Sequence, residues 1–193
     1  PFSFELLDVF YEGKSLGLVY ELDGGAVTMA EALQASVTSG GYISSSKDQE
    51  ESLMEQWIAQ LLWTLQLFHV EAGWFIGYGL LCSPQNILLT SQCTKLLING
   101  LGATQILALS RSPLPYTEAE IIDHQTKDLR ALAELIKTFL SGPRRWLLRS
   151  PLIAPILAYL DQRGTMAFTS LSELLELPAS SNLLQRLLVR SFK

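Results

Sequence analysis

The sequence predicts an α+β domain, mostly helical, and three observations predict it. The chain opens with two short β-prone runs around a glycine. A long helix-period stretch follows. After one hairpin pattern, every later periodic segment is helical. No repeat is visible. With 193 residues, of which 48% are hydrophobic and 17% charged, the chain can fill one sizeable core and is not a disordered polymer.

The elements run in this order. "FSFELLDVFYEGKSLGLVYEL" reads as two strands joined at Glu12-Gly13-Lys14, with Val9, Phe10, Tyr11 and Leu18, Val19, Tyr20 favouring extended backbone. Asp23-Gly24-Gly25 breaks the chain. "VTMAEALQASV" has helical spacing, with Thr28 as its cap. "TSGGYISSSKDQEE" is polar, rich in Ser and Gly, and reads as a loop. In "ESLMEQWIAQLLWTLQLFHV", Leu53, Trp57, Leu61, Leu65 and Phe68 recur every three or four residues, and Met54, Ile58 and Leu62 form a second row. A helix apolar over so much of its surface is buried, so Trp57 and Trp63 read as core. Its faces match those of a later helix bearing Leu129, Leu132 and Leu135.

"NILLT" and "TKLLIN" read as a small hairpin turning at Ser91-Gln92-Cys93. "SRSPLPYTEAEIIDHQ" reads as irregular. "KDLRALAELIKTFL", "PLIAPILAYLDQ", "SLSELLEL" and "NLLQRLLVRSF" are helical.

Composition limits function. A formal charge of −5 gives no electrostatic footprint for nucleic acid, which is not expected to bind this chain alone. Arg144, Arg145 and Arg149 in "GPRRWLLRS" read as a solvated helix start rather than a phosphate site. No apolar run is long enough to cross a bilayer, and "PFSFELLDVF" lacks the basic start of a signal peptide. Cys82 and Cys93 make no disulfide framework, and two histidines argue against Cys/His metal sites. A reduced, cytoplasmic setting is expected. The mean hydropathy of +0.24 is high for a domain with so few charges. Leu174, Leu175, Leu177, Leu183, Leu184, Leu187 and Leu188 crowd the C-terminal segments. They either form a helical surface for a protein partner, a second copy of the chain included, or simply close the fold.

The order of these pieces resembles the protein-kinase fold from the middle of its small lobe to the end of its large lobe. "LLDVFYEGKSLGLVYEL" resembles the last two small-lobe strands, and "VYELDGG" the hinge on which adenine sits. The resemblance therefore implies residues 1–22 as a remnant of the small lobe and hinge, and 23–193 as the large lobe. "LFHVEAG" is similar to the family's "LHxxG", with one extra residue between His69 and Gly73. "SPQNILLT" resembles "KPENILL", and "KLLINGLG" sits where "KLIDFGLA" would. "KDLRALAELIKTFLSG" resembles the central large-lobe helix, and "LDQRGTMAFTSLSELLELP" the closing "D-x-x-R-P-T-x-x-E-L-L" region.

Phosphoryl transfer needs a carboxylate at the attacking hydroxyl and oxygen ligands on magnesium. Aligned on Asn86, the family's His-Arg-Asp falls on Gly79, Leu80 and Leu81, and the loop lysine on Ser83. The loop from Gly73 to Pro84 is lengthened. The magnesium-binding Asp falls on Ile98 without a gap and on Asn99 with a shift of one, Asn99 being the polar candidate. Asn86 is retained, but a neutral amide is a poor magnesium ligand, and bonding the turn backbone is its expected role. Asp128 matches a family position that ties down catalytic-loop backbone. Glu118 or Glu120 stands where an A-P-E motif has faded. Glu21 and Leu22 are the hinge residues a nucleotide would touch. ATP would bind only if residues before Pro1 supply the other half of its site, the chain being either a fragment or a form with a reduced small lobe.

The resemblance thus implies a pseudokinase without catalytic or metal residues. "LINGLGATQIL", "VYEL" and "KDLRAL" are similar to the pseudokinase subunit family of the poly(A)-nuclease deadenylase complex. That likeness implies a scaffold in mRNA deadenylation. Three other readings stand beside it: an inactive domain beside a true kinase, a divergent kinase using Glu118, Asp123 or Asp128 as base, and an interaction domain with no kinase ancestry.

Overall fold

The structure, a computed structural model, describes residues 6–12, 15–20, 25–38, 46–77, 79–90, 93–100, 116–163 and 171–191. It begins with the expected hairpin. Strand β1 (Leu6–Glu12) pairs antiparallel with β2 (Ser15–Tyr20), with an irregularity between Leu6 and Asp8. A second sheet holds β3 (Val27–Thr28), β4 (Ile87–Thr90) and β5 (Lys95–Ile98) in that order, all antiparallel. The hairpin read from "NILLT" and "TKLLIN" is therefore real. Val27 and Thr28, read as the start of a helix, instead add a third strand to it. Thr28 still caps helix α1 (Met29–Thr38): its hydroxyl accepts from Glu31 N at 3.1 Å, while Glu31 Oε2 accepts from Thr28 N at 2.8 Å.

Helix α2 (Lys47–Leu65) is the axis of the core. Met54, Trp57, Ile58, Leu61, Leu62 and Leu65 are fully buried, because both apolar rows of its sequence find a partner surface. One surface is α3 (Glu118–Phe139), whose Leu129, Leu132 and Leu135 join the same core. Trp57 meets Phe139 edge to face, ring centroids 5.8 Å apart. A second surface is the β4–β5 hairpin, which polar atoms pin to α2. Trp57 Nε1 donates to Cys93 O at 2.7 Å, Gln60 Nε2 to Thr94 O at 2.9 Å, and Leu96 N to Gln60 Oε1 at 2.8 Å. Cys93 sits there at φ +67°, and burial raises its thiol pKa.

Two expected boundaries move. The polar composition of Lys47 to Glu51 predicts a loop, but Ser46 accepts from Gln49 N at 3.3 Å and starts α2 directly after itself. The sequence predicts irregular backbone over Glu118 to Gln125, yet α3 begins at Glu118. Thr117 and Glu120 form a reciprocal capping box there, the Thr117 hydroxyl accepting from Glu120 N at 3.3 Å and Glu120 Oε2 from Thr117 N at 2.8 Å.

A 3₁₀ segment (Gly142–Arg149) follows α3, then α4 (Ile153–Arg163), α5 (Leu171–Glu176) and α6 (Pro178–Ser191). Arg145 and Arg149 are exposed, as a solvated start requires. Arg144 is not: it is 4% exposed and pairs through Nε with Glu50 Oε1 at 2.5 Å. Its guanidinium also donates to Leu33 O at 3.4 Å, so it ties the 3₁₀ segment to α1 and to the first turn of α2 and is not a surface charge. The terminal leucines divide in a similar way. Leu174, Leu183 and Leu187 are buried in the core, while Leu175, Leu177 and Leu184 are half-buried against it. Helix α6 packs on α2, and Arg186 reaches Glu55 Oε2 at 2.8 Å. Leu174, Leu183 and Leu187 thus close the fold instead of forming an open patch. Among the described residues, no helix is long and apolar enough to cross a membrane.

Candidate functional site

The site is built outward from one buried carboxylate. Asp128, on the inner face of α3, is 3% exposed. Its Oδ1 accepts from Gly77 N at 2.8 Å, and its Oδ2 accepts from Ile76 N at 2.7 Å. Oδ2 also faces His69 Nε2 at 3.0 Å. A carboxylate bonding two backbone N–H groups and an imidazole has little capacity left for anything else. One turn earlier on α3, Gln125 Nε2 donates to Trp74 O at 2.9 Å and to His69 O at 3.3 Å. Together Gln125 and Asp128 grip both ends of the segment from His69 to Gly77.

His69 reaches Asp128 because α2 ends in a π turn (Gln66–Glu71). Ala72 N donates to Leu67 O at 2.9 Å across its wider ring. A π turn is how a helix absorbs an added residue. It gives physical form to the extra residue between His69 and Gly73. Beyond it, Trp74 and Phe75 stack with centroids 4.9 Å apart, and Phe75 stacks on His124 at 4.2 Å. Tyr116 meets both Phe75 and Trp74 edge-on, so the start of α3 is fastened to this segment by rings as well.

The loop after Gly77 then turns toward the β4–β5 hairpin. Gly79 adopts φ +67°, a left-handed conformation glycine tolerates, and begins a 3₁₀ turn (Leu80–Cys82). Leu81 points inward and is 1% exposed, and Leu80 packs against the core from its edge. Ser83 caps a second 3₁₀ turn (Pro84–Asn86), its hydroxyl accepting from Gln85 N at 3.3 Å. Asn86 Nδ2 donates back to Leu80 O at 3.3 Å, which is the turn-bonding role expected of it. Asn86 O in turn accepts from Asn99 N at 2.8 Å. At Gly100, φ +83°, a Cβ would lie 3.6 Å from Leu80 Cδ2. Gly79, Leu80, Leu81, Asn86 and Asn99 are thus brought into one place, with the Asn99 side chain exposed at its rim. Glu21 and Leu22 lie outside the described residues.

What this arrangement can do is limited by what it lacks. No Asp or Glu occurs anywhere between Glu71 and Glu118. That makes the register of the loop immaterial. Asp128 holds Ile76 and Gly77 upstream of Gly79, and whichever count is used, no carboxylate falls in the loop or the turn. Two asparagine amides offer magnesium no anionic oxygen, and the residues present do not fit that ion. Among the described residues no three His, Cys, Asp or Glu side chains gather as a metal site. Of the three acids considered as a base, Asp128 is consumed as described. Asp123 is exposed and paired with Lys127 at 2.5 Å, and that hydrogen bond holds its carboxyl below the ordinary range. Glu118 lies exposed in the first turn of α3.

Sequence reasoning missed the tie of Gln125 and the start of α3, although the Thr117-x-x-Glu120 box announces the latter. It singled out Asp128 as a tie and noted the shifted spacing at His69, and the two meet.

Comparison with known proteins gives one informative result. The solved structure of the Drosophila melanogaster PAN3 pseudokinase superposes with a TM-score of 0.65 at 21% sequence identity, covering 98% of this chain and 52% of that one. The chain therefore has a protein-kinase-like fold, with a helical large lobe and little β structure, and spans about half the length of that neighbour. No family model and no curated protein matches it.

Proposed function

We propose that this chain is a catalytically inactive pseudokinase domain that serves as a scaffold or regulatory interaction module. One observation carries the proposal: the loop after Gly77 is anchored by Asp128 and tied by Asn86, while the whole segment from Ala72 to Thr117 contains no carboxylate. In this reading Gly79, Leu80 and Leu81 stand in the catalytic-loop triad, and Asn86 and Asn99 at the two metal positions. Leucine neither accepts a proton nor orients a hydroxyl, so the chemical step has no base. Residues 1–22 would be the small-lobe remnant, with Glu21 and Leu22 at the hinge, and 23–193 the large lobe. A protein partner engaging the helical surface, in a cytoplasmic setting, fits a module of this kind.

The finer reading is a role in mRNA deadenylation. It rests on "LINGLGATQIL", "VYEL" and "KDLRAL", and the fold neighbour, itself a pseudokinase, is consistent with it. The divergent-kinase reading is disfavoured by Asp128, whose oxygens are occupied by Ile76, Gly77 and His69.

The test is a phosphoryl-transfer assay on the intact protein with radiolabelled ATP and magnesium, against itself and a general acceptor protein. No transfer above background is expected. Turnover that disappears on Glu118→Gln or Asp123→Asn would overturn the proposal.

A further inference from the structure

The turn that carries Asn99 has chemistry of its own. Asn99 is followed by Gly100, and an asparagine before glycine is the sequence in which main-chain attack on the side-chain amide is least hindered, since no Cβ shields the attacking nitrogen. Three features of the fold leave the pair reactive. The Asn99 side chain is exposed. Among the described residues, neither its amide nor Gly100 N–H has a hydrogen-bond partner, the one bond of this pair being Asn99 N to Asn86 O at 2.8 Å. Gly100 is held at φ +83° in a turn, not in the ladder of β5, so its nitrogen is not committed to a strand.

We propose that Asn99–Gly100 is a site of spontaneous covalent modification, in which Asn99 converts to aspartate or isoaspartate. Gly100 N, on losing its proton, bonds to Asn99 Cγ. The bond from Cγ to the side-chain nitrogen breaks, and that nitrogen leaves as ammonia, taking up the proton. The resulting five-membered imide then takes one water. Opening at one carbonyl gives aspartate, and opening at the other gives isoaspartate, with one more methylene in the main chain. No oxidant, reductant or enzyme is required. Either product places a carboxylate at the turn where the kinase-like frame lacks one. That consequence rests on the assignment of Asn99 proposed above, whereas the modification does not.

The protein contains its own controls. It has three asparagines, Asn86, Asn99 and Asn182. Asn86 precedes Ile87, and its amide is bonded to Leu80 O at 3.3 Å. Asn182 precedes Leu183 inside α6, where the backbone nitrogen is committed to the helix. Cleavage after Lys and Arg puts each asparagine in a different peptide, Asn99 in Leu96–Arg111.

The experiment incubates the intact folded protein at mildly alkaline pH, with a urea-unfolded sample alongside, and follows the three peptides by mass spectrometry. The Leu96–Arg111 peptide should gain one dalton and split into two chromatographic peaks, faster at alkaline than at mildly acidic pH. The peptides carrying Asn86 and Asn182 should change about tenfold more slowly or not at all. An Asn99→Gln variant should abolish the gain in the Leu96–Arg111 peptide. The proposal is overturned if that peptide stays unchanged in the folded protein while converting in urea, since the fold would then protect it. Equal conversion at Asn86 or Asn182 in the folded protein would overturn it as well.

Discussion

Two polar positions of the molecule have opposite fates. Asp128 is a buried carboxylate with three partners, holding the entrance of the loop. Asn99 is an exposed amide at the exit of the loop, at the position proposed above for a metal-binding carboxylate. The first is architecture, because removing it strands buried N–H groups. The second is peripheral, because the hydrogen bond of Asn99 is made by its main chain and its side-chain amide holds nothing among the described residues. The fold should therefore tolerate a change at Asn99 far better than one at Asp128.

That contrast can be broken at several strengths. The largest effect is expected from Asp128→Ala. Ile76 N and Gly77 N would be left without an acceptor in a buried place, at about 1–3 kcal/mol for each stranded group, and His69 would lose its partner. A total loss of about 3–5 kcal/mol in urea unfolding is expected; a loss below about 1 kcal/mol would mean that Asp128 is not an anchor.

A neutral tie gives an intermediate case. Gln60→Ala removes the acceptor of Leu96 N and a donor to Thr94 O, at the contact between α2 and the β4–β5 hairpin. A loss of about 1–3 kcal/mol is expected, with amide exchange at Leu96 accelerating most. Uniform acceleration across the hairpin and α3 would show that the tie is not local.

The smallest of the three concerns the start of the helix that carries Asp128. Thr117→Ala leaves Glu120 N uncapped and should cost about 1 kcal/mol. The fold should survive, with exchange rising in the first turn of α3 and not at Asp128.

These elements also separate what the sequence made legible from what it did not. The two rows of α2 and the β4–β5 hairpin were readable because their periods are undiluted: i,i+4 spacing for one, short β-prone runs on either side of a turn for the other. The start of α3 was missed because Pro113 and Pro115 and a polar run masked a capping box written plainly as Thr117-x-x-Glu120. Arg144 defeated composition. Three arginines in eight residues look like a solvated start, and only the packing of Glu50 shows that one of them is a tie. The extra residue after His69 was visible as a spacing, but its accommodation as a π turn was not, since helix period does not announce a widened turn. In the site, Asp128 was legible as a tie through the resemblance, whereas Gln125 was not, because a glutamine on a helix carries no signal until its partners are known.

The most direct measurement of the central claim is a side-by-side urea unfolding of Asp128→Asn and Asn99→Ala. Each substitution removes a polar function with little change elsewhere, and Asn99→Ala keeps the main-chain bond to Asn86. A loss of about 2–3 kcal/mol is expected for Asp128→Asn, whose amide turns a donor toward a buried N–H. A change within about 0.5 kcal/mol is expected for Asn99→Ala. Equal losses, or a larger loss at Asn99, would contradict the contrast between an anchoring Asp128 and a peripheral Asn99.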